Sequence, residues 1–241
     1  YLKLGSNNKF KIIALLLLFL VDENYSQTYR EQFDKLDQQN FDNSCFNNSN
    51  IGNTFIHNST SNLMRAYVLM YKKTSDIKYL NKFIIASKRV MDRRDDNFAN
   101  AKNYMNLPYV SFGCTIDANT TQISSSSKGW STIIDNNLCV LGVNFMEVGT
   151  ITCPMAEFLL LMQQHPELNN QSLPYEALSS APGLNSYDGT SITTFLDYSN
   201  WLKSKVYESL DWIISVRYNT QSEYFGFNAA SGINQQMAIG K

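Results

Sequence analysis

The stretch "SNLMRAYVLMYKKTSDIKYLNKFIIASKRVMDRR", residues 61–94, carries the clearest structural signal in this 241-residue chain. One of residues 59–61 can cap a helix at the start of this stretch, whose first half repeats apolar side chains at helical spacing: Leu63, Tyr67, Val68 and Tyr71. The second half, from Ile77 to Arg93, carries a similar stripe: Leu80, Phe83, Ile84, Val90 and Met91. Because only the short polar turn "KTSDIK" joins them, the two helices are predicted to form an antiparallel αα-hairpin.

Two more helices are predicted downstream. In "TCPMAEFLLLMQQHPEL", Pro154 suits the first position of a helix and Pro166 its end. The longest helix is predicted from Ile192 to Tyr218, with a buried stripe of Leu202, Val206, Leu210, Ile213 and Val216 to Arg217. Between the two helical regions, residues 95–150 are rich in Asn, Ser and Gly, which predicts a loop-rich insertion with short strands within residues 131–150.

Three predicted helix starts share a Met followed closely by an Ala. These are Met64, Met155 and Met237, separated by 91 and 82 residues. A small residue near a helix start lets two helices approach closely, so the recurrence indicates a helical repeat or toroid, with chance recurrence as the alternative. The last of the three lies in "GINQQMAIGK", residues 232–241, where Asn234 can cap a helix. The chain is therefore expected to end inside a hairpin whose partner helix is missing.

The N-terminal segment has the pattern of an export signal. Lys9 and Lys11 precede the apolar run from Ile12 to Val21, which is followed by polar residues. A run of this length is short for a bilayer span, which needs about 20 residues. Residues 1–27 are predicted to be the signal and residues 28–241 the mature domain, exported to the periplasm, the outer surface or the medium, with no stable membrane span after signal removal. A buried helix or a lone membrane anchor is the alternative.

Composition argues against several classes of partner. The formal net charge is -1, and the 20 basic and 21 acidic residues are interspersed without a basic stripe, so no nucleic acid partner is expected. The chain has no C-x-x-C spacing and 2 histidines, so no metal and no cofactor are predicted. Export would make Cys45, Cys114, Cys139 and Cys153 candidates for disulfides, and buried thiols are the alternative.

Several of these segments resemble one family. "MYKKTSDIKYL" is similar to the "TGD.KYL" turn of exported bacterial proteins with the (α/α) six-hairpin toroid fold, the six-hairpin glycosidase-like superfamily. "EVGTITCPMAEFLLLM" resembles the element that precedes an inner helix in such proteins, and "FNAASGINQQMAIGK" resembles the start of a further hairpin. The resemblance covers residues 55–241. It implies an all-α fold of antiparallel αα-hairpins forming part of an (α/α) toroid, with long loop insertions, in which inner helices line a cavity.

The resemblance also implies a polysaccharide or oligosaccharide as the substrate, since many members of this fold are glycoside hydrolases or polysaccharide lyases. A hydrolase needs paired carboxylates. Glu147, amid apolar neighbours in "NFMEVGT", is the first candidate, because desolvation could raise its pKa. Asp135 and Asp188, in the two long loops, are candidates for the second group. The structural alternatives are a carboxylate favoured near a helix N-terminus for Glu147 and solvated turn residues for the two Asp.

A lyase or epimerase acting on uronic acids needs a base and a cation instead. His57, Tyr104 or Tyr109 could supply the base, and Arg65 could neutralise the sugar carboxylate. Trp130 in "SKGWST" is a candidate stacking platform for a sugar ring or, equally, a cover over the core. A non-catalytic helical toroid that binds glycan or protein remains the other class of function.

Overall fold

The computed structural model describes residues 29–38, 59–98, 127–135, 140–178, 187, 190–219, 224–225 and 228–230, and the structural statements that follow concern these ranges. The chain divides into two units, residues 1–47 and 48–241. In the first unit, helix α1 covers residues 29–38. The predicted signal lies outside the described residues, as does "GINQQMAIGK".

The predicted αα-hairpin is confirmed. Helix α2 covers Ser61–Thr74 and helix α3 covers Ile77–Asp92. Ser75 ends α2 in the left-handed conformation, with φ 56°, and its N–H donates to the carbonyl of Tyr71 at 2.7 Å. Asp76 then caps α3, because its carboxylate accepts the N–H of Lys78 at 3.0 Å. Two residues thus reverse the chain direction.

A second hairpin is made by helices α5 (Phe145–Gln164) and α7 (Phe195–Arg217). The short helix α4 (Asp95–Phe98) precedes it, and a 3-10 turn (Pro166–Leu168) and helix α6 (Tyr175–Leu178) lie between its two long helices. The first residues of α7 are hydrogen-bonded to the segment that follows α5: Phe195 N–H donates to Gln171 O at 2.9 Å and Leu196 N–H to Asn169 O at 3.1 Å. Because α7 starts where α5 ends, the two helices run antiparallel.

The predicted start of α5 at Pro154 is wrong, whereas the prediction that the helix ends at Pro166 is confirmed, since its last residue is Gln164. The helix begins at Phe145, so Pro154 lies in its interior. An interior proline costs about 3 kcal/mol, because the ring removes one N–H donor and crowds the preceding turn. Burial of Val148, Ile151 and Thr152 on one face of the additional turns offsets this cost.

The predicted helix from Ile192 to Tyr218 is confirmed as α7 with slightly narrower bounds. Leu202, Val206 and Ile213 are buried as predicted. The predicted stripe is wrong at Leu210, which is half-buried, and at Val216, which is 36% exposed. The stripe stops there because α7 leads directly into strand β3 (Tyr218–Asn219), which pairs with β4 (Tyr224–Phe225).

The two hairpins stack side by side in the same direction. Arg65 on α2 meets Glu157 on α5 at 3.0 Å, and near the other end Tyr71 meets the ring of His165, so α2 and α5 are parallel. Ser87 on α3 is hydrogen-bonded to Tyr198 on α7 at 2.7 Å. Seven residues farther along in each segment, the guanidinium of Arg94 donates to the carbonyl of Lys205, so α3 and α7 are parallel as well. One layer therefore holds α2 and α5, and the other holds α3 and α7.

The core lies between these layers, and part of its pattern of buried residues recurs along the chain. Phe83 of α3 stacks on Phe158 of α5 with ring centroids 4.5 Å apart, and Phe158 meets Tyr198 of α7 edge-on at 6.3 Å.

Buried residues of α2 and α5 recur at one spacing of 91 residues: Ser61 and Thr152, Met64 and Met155, Tyr67 and Phe158, Tyr71 and Met162. The spacing predicted from Met64 and Met155 therefore relates four buried positions of the two helices, whereas the buried Val68 corresponds to the half-buried Leu159. Met237 lies outside the described residues.

The predicted short strands are confirmed, and they add a small sheet to the predominantly helical fold. Strands β1 (Ser131–Asp135), β2 (Val140–Asn144) and β5 (Asn228–Ala230) pair antiparallel in the order β1-β2-β5. Ile133, Val140 and Val143 are β-branched residues that favour extended backbone. Because β2 runs directly into α5, the sheet fixes where this helix begins. The helical class is thus observed, in the form of two stacked hairpins.

Among the described helices, α5 is long and apolar enough to cross a membrane by length and composition, with a mean hydropathy of 1.4. It is also a core helix, because it packs against both α2 and α7.

Phe158 lies on α5 and contacts both α3 and α7, so its truncation should be costly. We expect Phe158→Ala to lower the free energy of unfolding by about 3–5 kcal/mol, as large-to-small changes in a packed core do. Leu160, two residues away and 50% exposed, provides the control, and Leu160→Ala should cost under about 1 kcal/mol. Urea denaturation followed by circular dichroism measures both, and equal losses would contradict the described packing.

Candidate functional site

A groove opens between the first turns of α2 and α5. It has a volume of about 410 Å³ and is lined by Ser61, Asn62, Arg65, Phe145, Met146, Gly149, Thr150, Cys153 and Pro154. Because the two helices are parallel, both N-termini lie at this end, where unpaired backbone N–H groups give a positive potential. The groove therefore combines hydrogen-bonding side chains, apolar surface and a potential suited to polar or anionic ligand groups.

Arg65 and Glu157 close one side of this groove. Their contact of 3.0 Å joins α2 to α5, with the Arg65 side chain 58% exposed and that of Glu157 25% exposed. Within the described residues, Oε2 of Glu157 is buried without a hydrogen-bond partner. Arg65 lines the groove, but its charge is already compensated by the carboxylate of Glu157, which makes it a weaker candidate for the cation that binds a uronate.

Glu147 lies in the first turn of α5, one residue from the groove-lining Met146. Burial raises the pKa of Glu147 from the 4.5 of an exposed glutamate to about 7. The helix N-terminus favours a carboxylate and acts in the opposite direction, but desolvation is the larger effect. A carboxyl group with this pKa carries a proton part of the time near neutral pH and can donate it.

Trp130 lies inside the fold. Its side chain is 0% exposed, and its indole N–H donates to the carbonyl of Val90 at 2.8 Å. The ring therefore covers the core at the end of α3. A fully buried ring has no exposed face on which a sugar could stack.

The remaining candidates are not brought to the groove by the described structure. Asp135 is the last residue of β1 and pairs with Val140, at the end of the hairpin away from α5. His57, Tyr104, Tyr109 and Asp188 lie outside the described residues. Among the cysteines, Cys153 is described, as an exposed free thiol in the groove wall, and Cys45, Cys114 and Cys139 lie outside the described residues.

A buried ionic cluster, which the sequence analysis missed, holds the insertion against α7. Arg94 is 0% exposed and contacts Asp96 at 2.7 Å and Glu208 at 2.7 Å, and Lys128 completes the cluster by contacting Asp96 at 2.8 Å. The pKa of Arg94 is raised, because these two carboxylates outweigh the effect of burial. The pKa values of Asp96 and Glu208 are lowered, because hydrogen bonds and charge from their basic partners outweigh burial.

The same cluster fixes the chain next to Trp130. Asp95 accepts the hydroxyl of Ser127 at 2.7 Å, and its N–H donates to the carbonyl of Gly129 at 2.9 Å. The only sequence signal was the run "DRRDD", which reads equally well as a solvated helix end.

Neither this cluster nor the groove provides a metal centre: no group of three His, Cys, Asp or Glu side chains in the described ranges could hold a metal ion.

No family model, curated protein or solved structure matches this chain. The function of the groove therefore has to be argued from its own geometry and chemistry.

Glu147→Gln should change how stability depends on pH. Since the folded pKa lies above the unfolded value, the folded state binds the proton more tightly, and ionisation destabilises the wild type as pH rises from about 4.5 to 7. Gln cannot ionise, so the variant should gain stability relative to wild type by up to about 2 kcal/mol between pH 4.5 and pH 8, partial exposure limiting the effect.

Urea denaturation at pH 4.5 and pH 8 measures this difference. Glu167→Gln is the control, because the pKa of the exposed Glu167 is lowered by hydrogen bonds from its own backbone and from His165, so its removal should act with the opposite sign. A Glu147→Gln stability difference that is the same at both pH values would contradict the raised pKa.

Arg94→Leu should be strongly destabilising, because it leaves Asp96 and Glu208 without their buried partner. We expect a loss of about 3–5 kcal/mol in the free energy of unfolding, as for other broken buried ion pairs. The adjacent Arg93 is only partly buried, so Arg93→Leu should cost clearly less. Thermal denaturation of both variants at pH 7 makes the comparison, and equal losses would remove the structural role assigned to the cluster.

Proposed function

We propose that this chain is an exported carbohydrate-active enzyme of the six-hairpin glycosidase type, which hydrolyses a polysaccharide or oligosaccharide with Glu147 as the general acid. The observation that carries the proposal is the pKa of Glu147, raised to about 7 by burial beside the groove at the start of α5. A hydrolase needs such a group to protonate the leaving glycosidic oxygen at neutral pH.

The stacking of the hairpins supports this assignment. An (α/α) toroid repeats αα-hairpins so that equivalent helices lie parallel in two layers, and α2 with α5 and α3 with α7 have this relation. In such a ring, the groove between α2 and α5 would lie at the rim of the cavity that the inner helices line. Ring closure itself is part of the proposal.

The second carboxylate has to come from a loop. Glu157 is the other carboxylate beside the groove, but it lies 10 residues after Glu147 on one helix, or about 15 Å along the axis. Glycosidase carboxylates are separated by about 5–5.5 Å in retaining enzymes and about 6.5–9.5 Å in inverting enzymes. Glu157 is therefore excluded as the partner. Asp135 lies opposite Val140, at the end of β2 away from α5, so we assign the role of base or nucleophile to Asp188.

A non-catalytic glycan-binding toroid is the second candidate. The specific observation in its favour is that the groove lining within the described residues contains Ser61, Asn62 and Arg65 but no carboxylate. Such a lining can hold sugar hydroxyls without performing chemistry.

Glu147→Gln separates the two candidates. Release of reducing ends from a panel of neutral and uronate-containing polysaccharides should fall by about 10²–10⁴ in the variant, because an amide cannot protonate the leaving group. Binding measured by affinity electrophoresis on the same glycans should persist. The control Glu167→Gln, in the 3-10 turn after α5, should hydrolyse and bind these glycans like the wild type.

Wild-type activity should also decline as pH rises above about 7, where Glu147 loses its proton. Glycan binding without hydrolysis by the wild type would favour the second candidate. Full activity of Glu147→Gln would remove this residue from the mechanism.

A further inference from the structure

The α5 wall of the groove has a gap at its centre. Gly149 lies on this wall between Met146 and Cys153, and all three residues line the groove. Within the described part of the chain, a Cβ atom placed on Gly149 would meet nothing within 4 Å apart from its chain neighbours and the backbone of α5. The packing of the fold therefore has room for a side chain at this position and does not require glycine.

The backbone of α5 does not require glycine at this position either. Gly149 lies within the helix, and its φ is outside the left-handed region that favours glycine. Glycine in a helix is less favourable than alanine, because its backbone loses more conformational freedom on folding. A glycine that neither packing nor backbone requires leaves the main chain of the helix open to close approach by a ligand.

The main chain at this gap offers a hydrogen-bond acceptor. Pro154 has no N–H, so the carbonyl of Thr150, four residues earlier, has no partner within α5. Both residues line the groove. The hydroxyl of Thr150 is engaged separately, since it donates to the carbonyl of Met146 at 2.8 Å. A backbone carbonyl left out of the helical ladder has to be satisfied by water or by a ligand.

This acceptor favours hydroxyl groups over carboxylates. A hydroxyl donates to a carbonyl and also accepts from N–H groups, whereas a carboxylate has no proton to donate. Arg65, the cation in the groove lining, is already paired with Glu157 at 3.0 Å. Met146, which is 56% exposed, adds apolar surface beside Gly149 for the C–H face of a sugar ring. A neutral sugar satisfies both surfaces, and a uronate carboxylate does not.

We infer that a neutral sugar ring binds against Gly149, with one of its hydroxyl groups donating to the carbonyl of Thr150. The inference rests on the proposed function, which supplies a saccharide as the ligand, and it narrows the substrate class to neutral glycans. Thr150 follows Glu147 by three residues, or about 4.5 Å along the helix axis. The ring is therefore bound within one helical turn of the proposed general acid.

A paired substitution tests the gap in the full chain. Gly149→Ala fills the gap with a methyl group and favours the helix, whereas Ala156→Gly, at an exposed position of α5 outside the groove lining, disfavours it. The double variant should therefore unfold at about the same urea concentration as the wild type. Its affinity for neutral glycans should nevertheless fall by about fivefold to tenfold, as for the loss of one hydrogen bond. Ala156→Gly alone should bind like the wild type.

Affinity electrophoresis on galactomannan, starch and hydroxyethylcellulose as neutral probes, and on polygalacturonate and alginate as uronate probes, measures these affinities. Unchanged neutral-glycan affinity in the double variant would overturn the inference. Absence of binding to every neutral probe, or tighter binding of a uronate probe than of all neutral probes, would also overturn it.

Pro154→Ala tests the acceptor itself. The variant supplies the missing N–H to the carbonyl of Thr150, so its affinity for the neutral probes should fall by a similar factor. Cys153→Ala is the control, because it also removes an atom from the groove lining but leaves the hydrogen bonds of α5 unchanged. Equal affinities of Pro154→Ala and Cys153→Ala would remove the carbonyl from the binding site and overturn the inference.

These binding results are distinct from the test of the enzymatic proposal. Neutral-glycan binding that depends on Gly149 and Pro154, without hydrolysis by the wild type, would support the inference and overturn the enzymatic proposal. Hydrolysis that is lost in Glu147→Gln, together with unchanged binding in both groove variants, would overturn the inference alone.

Discussion

The parallel alignment of α2 and α5 is the constraint on which the other features depend. The contacts of Arg65 with Glu157 and of Tyr71 with His165 join the two helices in this alignment, and Tyr67 and Phe158, at corresponding positions, are both fully buried. Phe158 in turn stacks on Phe83 and meets Tyr198, so α3 and α7 are placed through the same residue. Because α2 and α5 run parallel, the groove, the positive potential of two helix N-termini and Glu147 all lie toward the N-terminal end of these helices.

The sequence was sufficient for the helices whose local signals and packing agree. The α2–α3 hairpin could be predicted because Leu80, Phe83 and Ile84 recur at helical spacing soon after a short polar turn. The start of α5 could not, because Pro154 is a strong local signal for a first turn, and only the burial of Val148 and Ile151 against other elements outweighs it. Local preference failed where tertiary contacts supply more free energy than a proline costs.

The candidate site was predictable in part for the same reason. Glu147 could be singled out because its neighbours in sequence are apolar, and its burial follows from those neighbours. Trp130 could be either surface or core, since its burial depends on its contact with Val90 and on the hydrogen bonds of Asp95 to Ser127 and Gly129, which join segments distant in sequence. The Arg65 contact with Glu157 joins residues from two helices far apart in the chain, and no local pattern in either helix encodes it.

Pro154 has a mechanical consequence for the groove. Without an N–H at this position, the carbonyl of Thr150 loses its helical partner, so the backbone ladder of α5 is interrupted between its first two turns and the rest. The later part is anchored in the core by Met155 and Phe158, and the earlier part by the buried Val148 and Ile151 and by its connection to β2. Both sides of the interruption are therefore fixed by tertiary packing, and the helix continues through the proline although one backbone hydrogen bond is missing. The groove wall that Thr150 and Pro154 form thus keeps its shape through the packing of the fold and not through the backbone hydrogen bonds of the helix.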